Sequence, residues 1–254
     1  MSYEAPNPVK SVSMTFRIVE ALMELDGAGV TELSEHIGVP KSTVHNYLST
    51  LLQEEYVVKR GNAYEVGLKF LELGAYARHR QELFHNAKPE VDRLADETGE
   101  LANLLVEEHG YGSYLYRTRG DQAVTVEAHM GTRVSLHTTA LGKVLLAHLP
   151  DDTVGDIVER HGLEKATEQS IDSKAELEEE LEEIRDRGVA FDDEERLNGL
   201  RCVAAPVLNE DDDVLGAVSV AGPTNRLQEE RFREELPQKV LEVTNVIELD
   251  ITYS

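Results

Sequence analysis

The 254-residue sequence has no tryptophan, one cysteine and only 6% aromatic residues. A single cysteine, Cys202, excludes an internal disulfide bond and a zinc site built from several cysteines, and it fits a reducing compartment. No apolar stretch reaches the ~18 residues that a membrane helix needs, and the stretch from Met1 to Lys10 has no apolar signal-peptide core. We therefore expect a globular cytoplasmic protein, long enough for one large domain or two of ordinary size.

Basic residues are also scarce, since 25 Lys and Arg stand against 49 Asp and Glu, giving a formal net charge of −24. Over the whole chain this balance argues against nucleic acid or an anionic membrane as a partner. Residues 1–66, however, carry only nine of the acids, and His36 to Gln53 carries none. Ala128 to Pro150 is equally free of acid, and burial also removes acids. The absence of acid from His36 to Gln53 therefore suggests an anionic partner but does not prove one.

Residues 10–55 predict three helices in the order of a helix-turn-helix domain. The first runs from Lys10 to Leu25 and the second begins at Thr31. A turn at Gly38-Val39-Pro40 leads into the third, which begins at Lys41 or Ser42 and ends at about Glu55. In the first helix, apolar residues at helical spacing predict an inward-facing stripe of Val12, Phe16, Ile18, Val19, Leu22, Met23 and Leu25.

The third helix has two different faces. At ~100° per residue, Val44, Leu48 and Leu51 share the inner side. The outer side is polar and free of acid, with Ser42, Asn46, Ser49 and Gln53 flanked by Thr43, His45 and Thr50. Such side chains reach phosphates and base edges in a DNA groove. An ordinary solvated face is the alternative, but in so acidic a chain that face should carry Asp or Glu.

Two short strands, Tyr56–Val58 and Tyr64–Val66, follow this helix and predict a β-hairpin with Lys59 and Arg60 in its turn. A hairpin at this position makes a winged helix-turn-helix, whose cations would meet DNA phosphates. A winged domain that makes only protein contacts is the alternative. The predicted DNA-binding residues are Lys41, Ser42, Thr43, His45, Asn46, Ser49, Lys59 and Arg60.

A helix from Gly67 to about His85 is expected to link two domains. It should also pack against a partner subunit, because a single winged module grips DNA weakly. The domains are then expected at 1–66 for the winged domain, 67–86 for the linker and 87–254 for the remainder. That remainder predicts an α+β domain with an antiparallel sheet. Its strands are expected at 101–107, 113–117, 124–129, 189–191, 202–208 and 214–221, and its helices at 87–98, 140–148, 153–160, 174–187 and from 228.

Four segments of this second part carry a specific resemblance to a known family. They are Leu136–Ala147 (LHTTALGKVLLA), Gly188–Glu195 (GVAFDDEE), Gly199–Val207 (GLRCVAAPV) and Gly216–Pro223 (GAVSVAGP). In this order they resemble the effector-binding half of the IclR family of transcriptional regulators. The segment PKSTVH at residues 40–45, together with EYV at residues 55–57, is similar to that family's recognition helix.

This resemblance implies a homodimer, often a dimer of dimers, whose winged domain binds a promoter palindrome in double-stranded DNA. It also implies a GAF-like C-terminal domain that binds a small metabolite, typically a carboxylate or an aromatic acid, with no cofactor and with repression commoner than activation. Carried over by position, the effector-binding residues are Ala140, Leu141, Asp192, Leu200, Cys202, Ala204 and Ser219. Ala221 stands where many members have a second serine, which argues against a small polar effector such as glyoxylate or pyruvate.

The residues around the helix that begins at Ala140 have an anion-binding chemistry of their own. Thr138 and Thr139 precede the helix N-terminus and Lys143 follows one turn later, an arrangement that attracts anions. Plain N-capping explains the two threonines equally well. His137 is expected to be structural, and Asp192 lies in a DDEER segment where a solvated acid is the ordinary alternative.

Cys202 raises the other classes of function. With His137 or His129 it could act as a thiol nucleophile, with Asp192 it could bind a metal, and alone it could sense redox state. No catalytic signature or glycine-rich phosphate loop accompanies it, and a cysteine in an apolar strand is ordinarily a small buried hydrophobe. We therefore expect a regulator, not an enzyme, with a metal- or redox-responsive regulator as the alternative.

Lysine is scarce relative to arginine, at 9 residues against 16. High acid content with little lysine is the composition expected of a protein kept soluble in concentrated salt, so we expect a halophilic host, such as a halophilic archaeon. At ~1 M salt the Debye length falls to about 3 Å, which screens repulsion between DNA and distant acidic surfaces. The same salt weakens binding by counterion release, so groove hydrogen bonds and dimerisation must carry more of the affinity.

Overall fold

The computed structural model describes residues 5–126 and 128–253, and the chain divides into two units between Arg78 and His79. This division falls inside the expected linker, and the domain limits 1–66, 67–86 and 87–254 remain a prediction. Residues 1–4 lie outside the described residues, and so does that part of the expectation about a signal peptide. Glu127, part of an expected strand, also lies outside them.

The N-terminal unit has the architecture of a winged helix-turn-helix. Its elements are α1 (Lys10–Glu24), α2 (Val30–Ile37), α3 (Lys41–Gln53), β1 (Val57–Arg60), β2 (Ala63–Val66) and α4 (Lys69–His79), the last of which extends to the division. Gly38 ends α2 with a left-handed φ of 71°, a conformation that glycine adopts at low cost, and its N–H is bonded to the carbonyl of Ser34. The core beneath the turn contains Ile18, Leu22, Leu33, Val44 and Leu48, all essentially inaccessible.

The buried face of α1 differs from the expected stripe. Ile18, Val19 and Leu22 are buried, but Val12, Phe16 and Met23 are 52%, 54% and 59% exposed. The helix carries two apolar stripes at helical spacing, and the sequence pattern does not show which of them faces α2 and α3. The prediction that Val12, Phe16 and Met23 face the core is therefore wrong.

The wing is confirmed as a hairpin, but its cations are not in the turn. Lys59 pairs with Tyr64 and Arg60 pairs with Ala63, so both cations belong to β1. The turn itself is Gly61-Asn62, and Gly61 supplies the positive φ of 61° that a two-residue hairpin loop needs. The sequence predicted a turn two residues too long, because adjacent Lys and Arg residues are typical of polar loops.

The helix expected from Gly67 to His85 is interrupted at Arg80-Gln81. The next helix, α5 (Glu82–Thr98), begins five residues before the expected Ala87 and contains Pro89 in its interior. Leu83 and Phe84 are buried in the core of the second unit. Because these side chains pack in that core, residues 82–86 are part of α5. The local sequence pattern does not predict this, since the packing depends on residues distant in the sequence.

The C-terminal unit contains a six-stranded antiparallel sheet with helices on both faces, which confirms the α+β class. The strands are β3 (Leu101–Glu108), β4 (Tyr111–Arg119), β5 (Arg133–Ser135), β6 (Ala190–Asp193), β7 (Leu200–Leu208) and β8 (Val214–Pro223), in the order β5-β4-β3-β8-β7-β6. The remaining helices are α6 (Ala140–His148), α7 (Asp151–His161), α8 (Lys174–Arg187) and α9 (Leu236–Tyr253), with a π-helical turn at Arg231–Glu235.

Each face of the sheet has its own hydrophobic core. Along β7, Cys202 and Ala204 point into the core with α6, α7 and α8, whereas Val203 and Ala205 point into the core with α5 and α9. No strand forms at the described residues of the expected strand Val124–His129; the strand that pairs with this edge of β4 is β5, at residues 111–113. The alternation that suggested a strand reflects Val126, which is buried against the first core.

Gly142, in the first turn of α6, fixes how closely this helix approaches the short 3₁₀ turn Leu136–Thr138. A Cβ at Gly142 would overlap backbone atoms of Leu136, whereas a Cβ at Gly155 in α7 would meet open space. We expect Gly142→Ala to lower the free energy of unfolding by about 2–3 kcal/mol through this overlap. Gly155→Ala should raise it by roughly 0.5–1 kcal/mol. Chemical denaturation measures both, and an equal effect of the two variants would contradict the close approach.

Candidate functional sites

The predicted DNA-binding face of α3 lies on the surface. Val44, Leu48 and Leu51 are buried, as expected for the inner side. Of the outer residues, Lys41, Ser42, His45, Asn46 and Ser49 are exposed and Thr43 is half-buried. The first turn of α3 contains no acidic residue, so the partial positive charge of the helix N-terminus is not cancelled there. The face therefore presents hydrogen-bonding groups and no carboxylate to an anionic partner.

The wing contributes cations that are already engaged. Arg60 Nε lies 3.0 Å from Glu65 Oε2, with side chains 75% and 40% exposed. Lys59 Nζ lies 5.3 Å from the centroid of the Tyr64 ring. Such an exposed ion pair contributes little to stability and can exchange its partner for a phosphate. Sequence reasoning found both cations but missed the competing carboxylate of Glu65, because cross-strand neighbours depend on the hairpin register.

A narrow cavity lies in the second unit, between α6 and the strands β3, β4, β6, β7 and β8. The space open to the centre of a water molecule is only about 20 Å³. Its walls are formed by Leu101, Asn103, Tyr114, Arg117, Val126, Thr139, Leu141, Asp192, Arg196, Leu200, Cys202 and Ala221. Of the predicted effector-binding residues, Leu141, Asp192, Leu200 and Cys202 are in this wall.

The other three predicted residues are buried but do not line the cavity. Ala204 pairs with Ser219 in the sheet, whereas the cavity lies against the next inward-facing pair, Cys202 and Ala221. Ala140 is completely buried. The side chain of Ala221, named above for its missing hydroxyl, is thus in the wall. We retain a role for Ala140, Ala204 and Ser219 in effector binding only as a prediction.

Sequence reasoning missed the polar residues on β3 and β4. Asn103 and Arg117 are paired across the two strands. Arg117 Nε donates to Asn103 Oδ1 at 2.9 Å, and Asn103 Nδ2 donates to Ser219 Oγ at 3.1 Å. An asparagine between alanine and leucine in a buried strand was the available signal, because a buried amide needs hydrogen-bonding partners. Ser219 is therefore connected to the cavity wall through Asn103.

Arg196 reaches the cavity from the loop after β6. Its Nη1 donates a hydrogen bond to the hydroxyl of Tyr114, and its guanidinium carbon lies 5.5 Å from the Tyr114 ring centroid. The guanidinium of Arg117 lies 4.6 Å from the same centroid. Burial raises the pKa of Tyr114 and lowers that of Arg117, which places both groups in a poorly solvated space.

Asp192 is the acidic group of the cavity and is only 2% exposed. Its Oδ1 accepts backbone N–H groups of Glu195 at 2.8 Å and Arg196 at 3.3 Å. Burial, and after it the charge of Glu195, raises the pKa of Asp192 to about 7. The solvated alternative for Asp192 is wrong, because its side chain points inward from β6 while the neighbouring Asp193 is half-buried and pairs with Arg201.

Lys143 does not act in this cavity. Its Nζ lies 2.6 Å from Glu195 Oε1 and 3.3 Å from Glu180 Oε1, with the lysine side chain 2% exposed. The prediction that Lys143 attracts an anion at the start of α6 is wrong, because two carboxylates already neutralise it. For Thr139 the N-capping alternative is confirmed, because its Oγ1 accepts the N–H of Gly142 at 2.9 Å; the residue also lines the cavity, and a role in binding an anion stays a prediction.

Cys202 and His137 have no catalytic geometry. Burial, followed by the nearby charge of Asp192, raises the pKa of Cys202 to about 12, so its thiol is protonated at neutral pH and a weak nucleophile. His137 Nε2 lies 3.0 Å from the carbonyl of Glu164, and burial lowers the pKa of this histidine. Within residues 5–126 and 128–253, no group of three or more His, Cys, Asp or Glu side chains is arranged to hold a metal ion.

Comparison with known proteins decides the family. Residues 11–61 match the IclR helix-turn-helix domain, and residues 75–249 match the family described as bacterial transcriptional regulator IclR C-terminal. The chain belongs to the IclR family of transcriptional regulators. As in this family, the N-terminal domain binds DNA and the C-terminal domain binds a small-molecule effector, and the chain is a regulator and not an enzyme.

Individual relatives cover nearly the whole chain. A probable HTH-type transcriptional regulator ArcR from Halobacterium salinarum is 36% identical over 96% of this chain and 94% of its own. The transcriptional repressor IclR from Escherichia coli is 29% identical over 91% of this chain and 86% of its own. The crystal structure of the Thermotoga maritima IclR has a TM-score of 0.78 at 26% identity, covering 96% and 99% of the two chains.

One further solved structure shares the fold and contains a ligand. It is an IclR homologue from Microbacterium hydrocarbonoxydans complexed with 4-hydroxybenzoate, with a TM-score of 0.78 at 20% identity, covering 93% of this chain and 98% of that one.

In this IclR regulator, no helix of the described residues is long and apolar enough to cross a membrane.

The raised pKa of Asp192 predicts a pH-dependent stability. The pKa in the folded state, about 7, lies above the ordinary value of 3.8, so the folded protein binds this proton more tightly than the unfolded chain. The ionised carboxylate therefore costs stability in full above pH 7, and the cost fades as the pH falls towards 4. Asp192→Asn keeps an acceptor for both N–H groups and removes the charge. We expect it to raise the melting temperature by several degrees at about pH 8 and by much less at about pH 5.

Thermal unfolding at the two pH values measures this difference. The matched control is Asp193→Asn, which alters the neighbouring carboxylate that pairs with Arg201 at 2.7 Å. It should lower the melting temperature or leave it unchanged at pH 8. An equal gain for Asp192→Asn at both pH values would show that Asp192 does not titrate near neutrality.

Proposed function

We propose that this IclR regulator represses transcription by binding a promoter palindrome as a homodimer or a dimer of dimers, and that a small organic acid in the C-terminal cavity controls this binding. The observation that carries the DNA part is the exposed, acid-free outer face of α3 in a chain of net charge −24. Repression is favoured by the relative from Escherichia coli whose name is that of a repressor. As a DNA-binding regulator, the protein would act in the cytoplasm.

Recognition of DNA divides between α3 and the wing. Asn46 and Ser49 are exposed and carry no charge, so they suit hydrogen bonds to base edges in the major groove. Lys41, Lys59 and Arg60 are exposed cations, which suit phosphates and contribute affinity without sequence preference. The contrast with α8, whose exposed face is covered with acids, supports this function for the exposed face of α3.

Control by an organic acid is supported by the composition of the cavity. Hydrogen-bonding groups of Asn103, Tyr114 and Thr139 are interspersed with aliphatic walls, the combination typical of small-molecule sites. The related protein complexed with 4-hydroxybenzoate binds an aromatic acid. Because the cavity admits about one water molecule, a metabolite can bind only if the walls rearrange. Binding would therefore favour a different conformation of this unit, as control by an effector requires.

Self-association is supported by exposed apolar side chains in the N-terminal unit. These side chains are 51–84% exposed. Those in or beside α1 are Val9, Val12, Phe16 and Met23, and those in or beside α4 are Leu68, Leu71, Leu73 and Tyr76. Apolar groups in such number mark an interface with another molecule. A second copy fits because paired winged domains would match the two halves of a palindrome. The molar mass in solution, measured by analytical ultracentrifugation, tests this point, and a monomer at micromolar concentration would contradict it.

A halophilic host completes the proposal. The regulator shares 36% identity with a relative from Halobacterium salinarum. Its excess of acid and its preference for arginine over lysine agree with solubility in concentrated salt. In such a solvent, the acidic surface does not prevent approach to DNA, because charges more than a few ångströms apart are screened.

Variants of α3 and the wing test the DNA-binding proposal. We expect Asn46→Ala to weaken binding to a duplex from the regulator's own promoter by about 5- to 150-fold, with little effect on a scrambled duplex. Arg60→Ala should weaken binding to both duplexes alike and should reduce the salt slope by about one. Glu65→Gln should strengthen binding to both duplexes, because it frees Arg60 from its ion pair. Fluorescence anisotropy measures all of these affinities.

The control variant is Glu35→Ala, an exposed position on α2 outside the proposed contact surface. It should bind the promoter duplex with nearly the affinity of the wild type. If the double variant Asn46→Ala/Arg60→Ala bound the promoter duplex as tightly as the wild type, this surface would not be the DNA-binding surface. A winged domain with protein contacts only would then be the better explanation.

A further inference from the structure

Two guanidinium groups face the internal cavity, and among the described residues neither has an acidic partner. Neither Arg117 nor Arg196 has a carboxylate oxygen of a described residue within 4.0 Å. The hydrogen bonds of Arg117 go to the Asn103 amide oxygen and the Ala128 carbonyl. The hydrogen bond of Arg196 goes to the Tyr114 hydroxyl. All of these acceptors are neutral.

The other half-buried arginines described in this unit each have an acidic partner, whereas an arginine that lacks one, such as Arg133, is exposed. Arg93, Arg187, Arg201 and Arg226 each lie within 2.7 Å of a carboxylate oxygen. With 49 acidic residues in the chain, an acidic partner is easy to supply wherever a guanidinium needs one. Cations withdrawn from water are costly unless an anion accompanies them. The one acid in the cavity wall, Asp192, directs an oxygen to backbone N–H groups and forms no ion pair with either arginine.

The two arginines are close enough to share one small ligand. Both guanidinium groups lie against the ring of Tyr114, at 4.6 Å and 5.5 Å from its centroid, so they are separated by on the order of 10 Å at most. They differ in how they are held. Arg117 is on β4 and is fixed by Asn103, which is bonded in turn to Ser219. Arg196 is in the loop between β6 and β7 and is held by a single side-chain hydrogen bond.

We propose that Arg117 and Arg196 are the carboxylate receptor of the cavity and select organic acids over uncharged metabolites of the same shape. This inference rests on the proposed function, since it identifies how that site chooses its effector. Arg117 is the fixed half of the receptor. Arg196 is the movable half, which exchanges the Tyr114 hydroxyl for an oxygen of the bound carboxylate. The exchange is favourable because a hydrogen bond to a charged acceptor is roughly twice as strong as one to a neutral acceptor.

The arginine pair is distinct from the N-terminus of α6, the other place that the helix dipole suggests for an anion. There, the hydroxyl of Thr139 already accepts the N–H of Gly142, and Lys143 is bound to two carboxylates. The exchange also enlarges the cavity. Because the Arg196 side chain is part of the wall, its movement away from Tyr114 opens the space of about 20 Å³ for a larger molecule.

The test compares each acid with its amide, which has the same shape and no charge. The probes are 4-hydroxybenzoate, gluconate and pyruvate with their amides, added to the full-length protein in concentrated KCl and followed by thermal shift and calorimetry. At least one acid should bind the wild type at least tenfold more tightly than its amide. Arg117→Gln and Arg196→Gln should each reduce this preference by about tenfold or more, and Arg117→Lys should restore part of it. The matched control is Arg119→Gln, an exposed arginine two residues further along β4, which should keep the full preference.

The outcomes separate this inference from the function on which it rests. If an acid binds and changes the affinity for the promoter duplex, but both glutamine variants keep the preference for the acid, the arginine receptor is wrong and the acid-controlled regulator stands. If the acid and its amide bind the wild type equally, the receptor is wrong as well. If no probe binds the wild type while the promoter duplex is still bound, both the receptor and the control by organic acids fail, and the DNA-binding function remains.

Discussion

Repulsion at contact distance, too short for salt to screen, between the protein's own carboxylates and an anionic partner is the constraint on which the function of this regulator depends. With a net charge of −24, the chain must offer DNA and an acidic metabolite surfaces where carboxylates are absent, paired or protonated. Both sites have this property. The outer face of α3 carries no acid. In the cavity, Asp192 is held by backbone N–H groups and has a pKa near 7.

The positively charged side chains are distributed according to the same constraint. Most arginines of the C-terminal unit are consumed in ion pairs, such as the one between Arg226 and the completely buried Glu100, and these hold the fold together. Lys143 is consumed in the same way. Among the described residues, the half-buried arginines of the cavity stand apart because no carboxylate oxygen lies within 4.0 Å of them. Exposed cations, such as Lys41 of α3 and Arg133, are also open to a ligand. In so acidic a protein, an arginine bound only to neutral groups is informative because carboxylates are abundant.

The sequence predicts most helices and strands of this fold because their periodicity is local. The first and last residues of α6 and α8 are those that were expected. Each helix has a clear start in the sequence, and it is followed by a leucine in the case of α6 and by a glycine in the case of α8. The errors arise where distant contacts decide. Burial of Leu83 moves the start of α5, and the strand beside β4 is the short β5 and not residues 124–129. In the cavity, family motifs located Asp192 and Cys202, but Arg117 and Arg196 come from segments outside those inherited pocket positions, and only the folded sheet brings them together.

The most direct measurement of the central claim is the affinity for the promoter duplex as a function of KCl concentration. Binding through uncharged groove contacts and few phosphate contacts predicts a shallow dependence on salt, since the slope reports the number of phosphates neutralised. Sequence-specific binding should persist near ~1 M KCl, where acidic surfaces are screened. Complete loss of specific binding well below that concentration would contradict the account of how this acidic regulator approaches DNA.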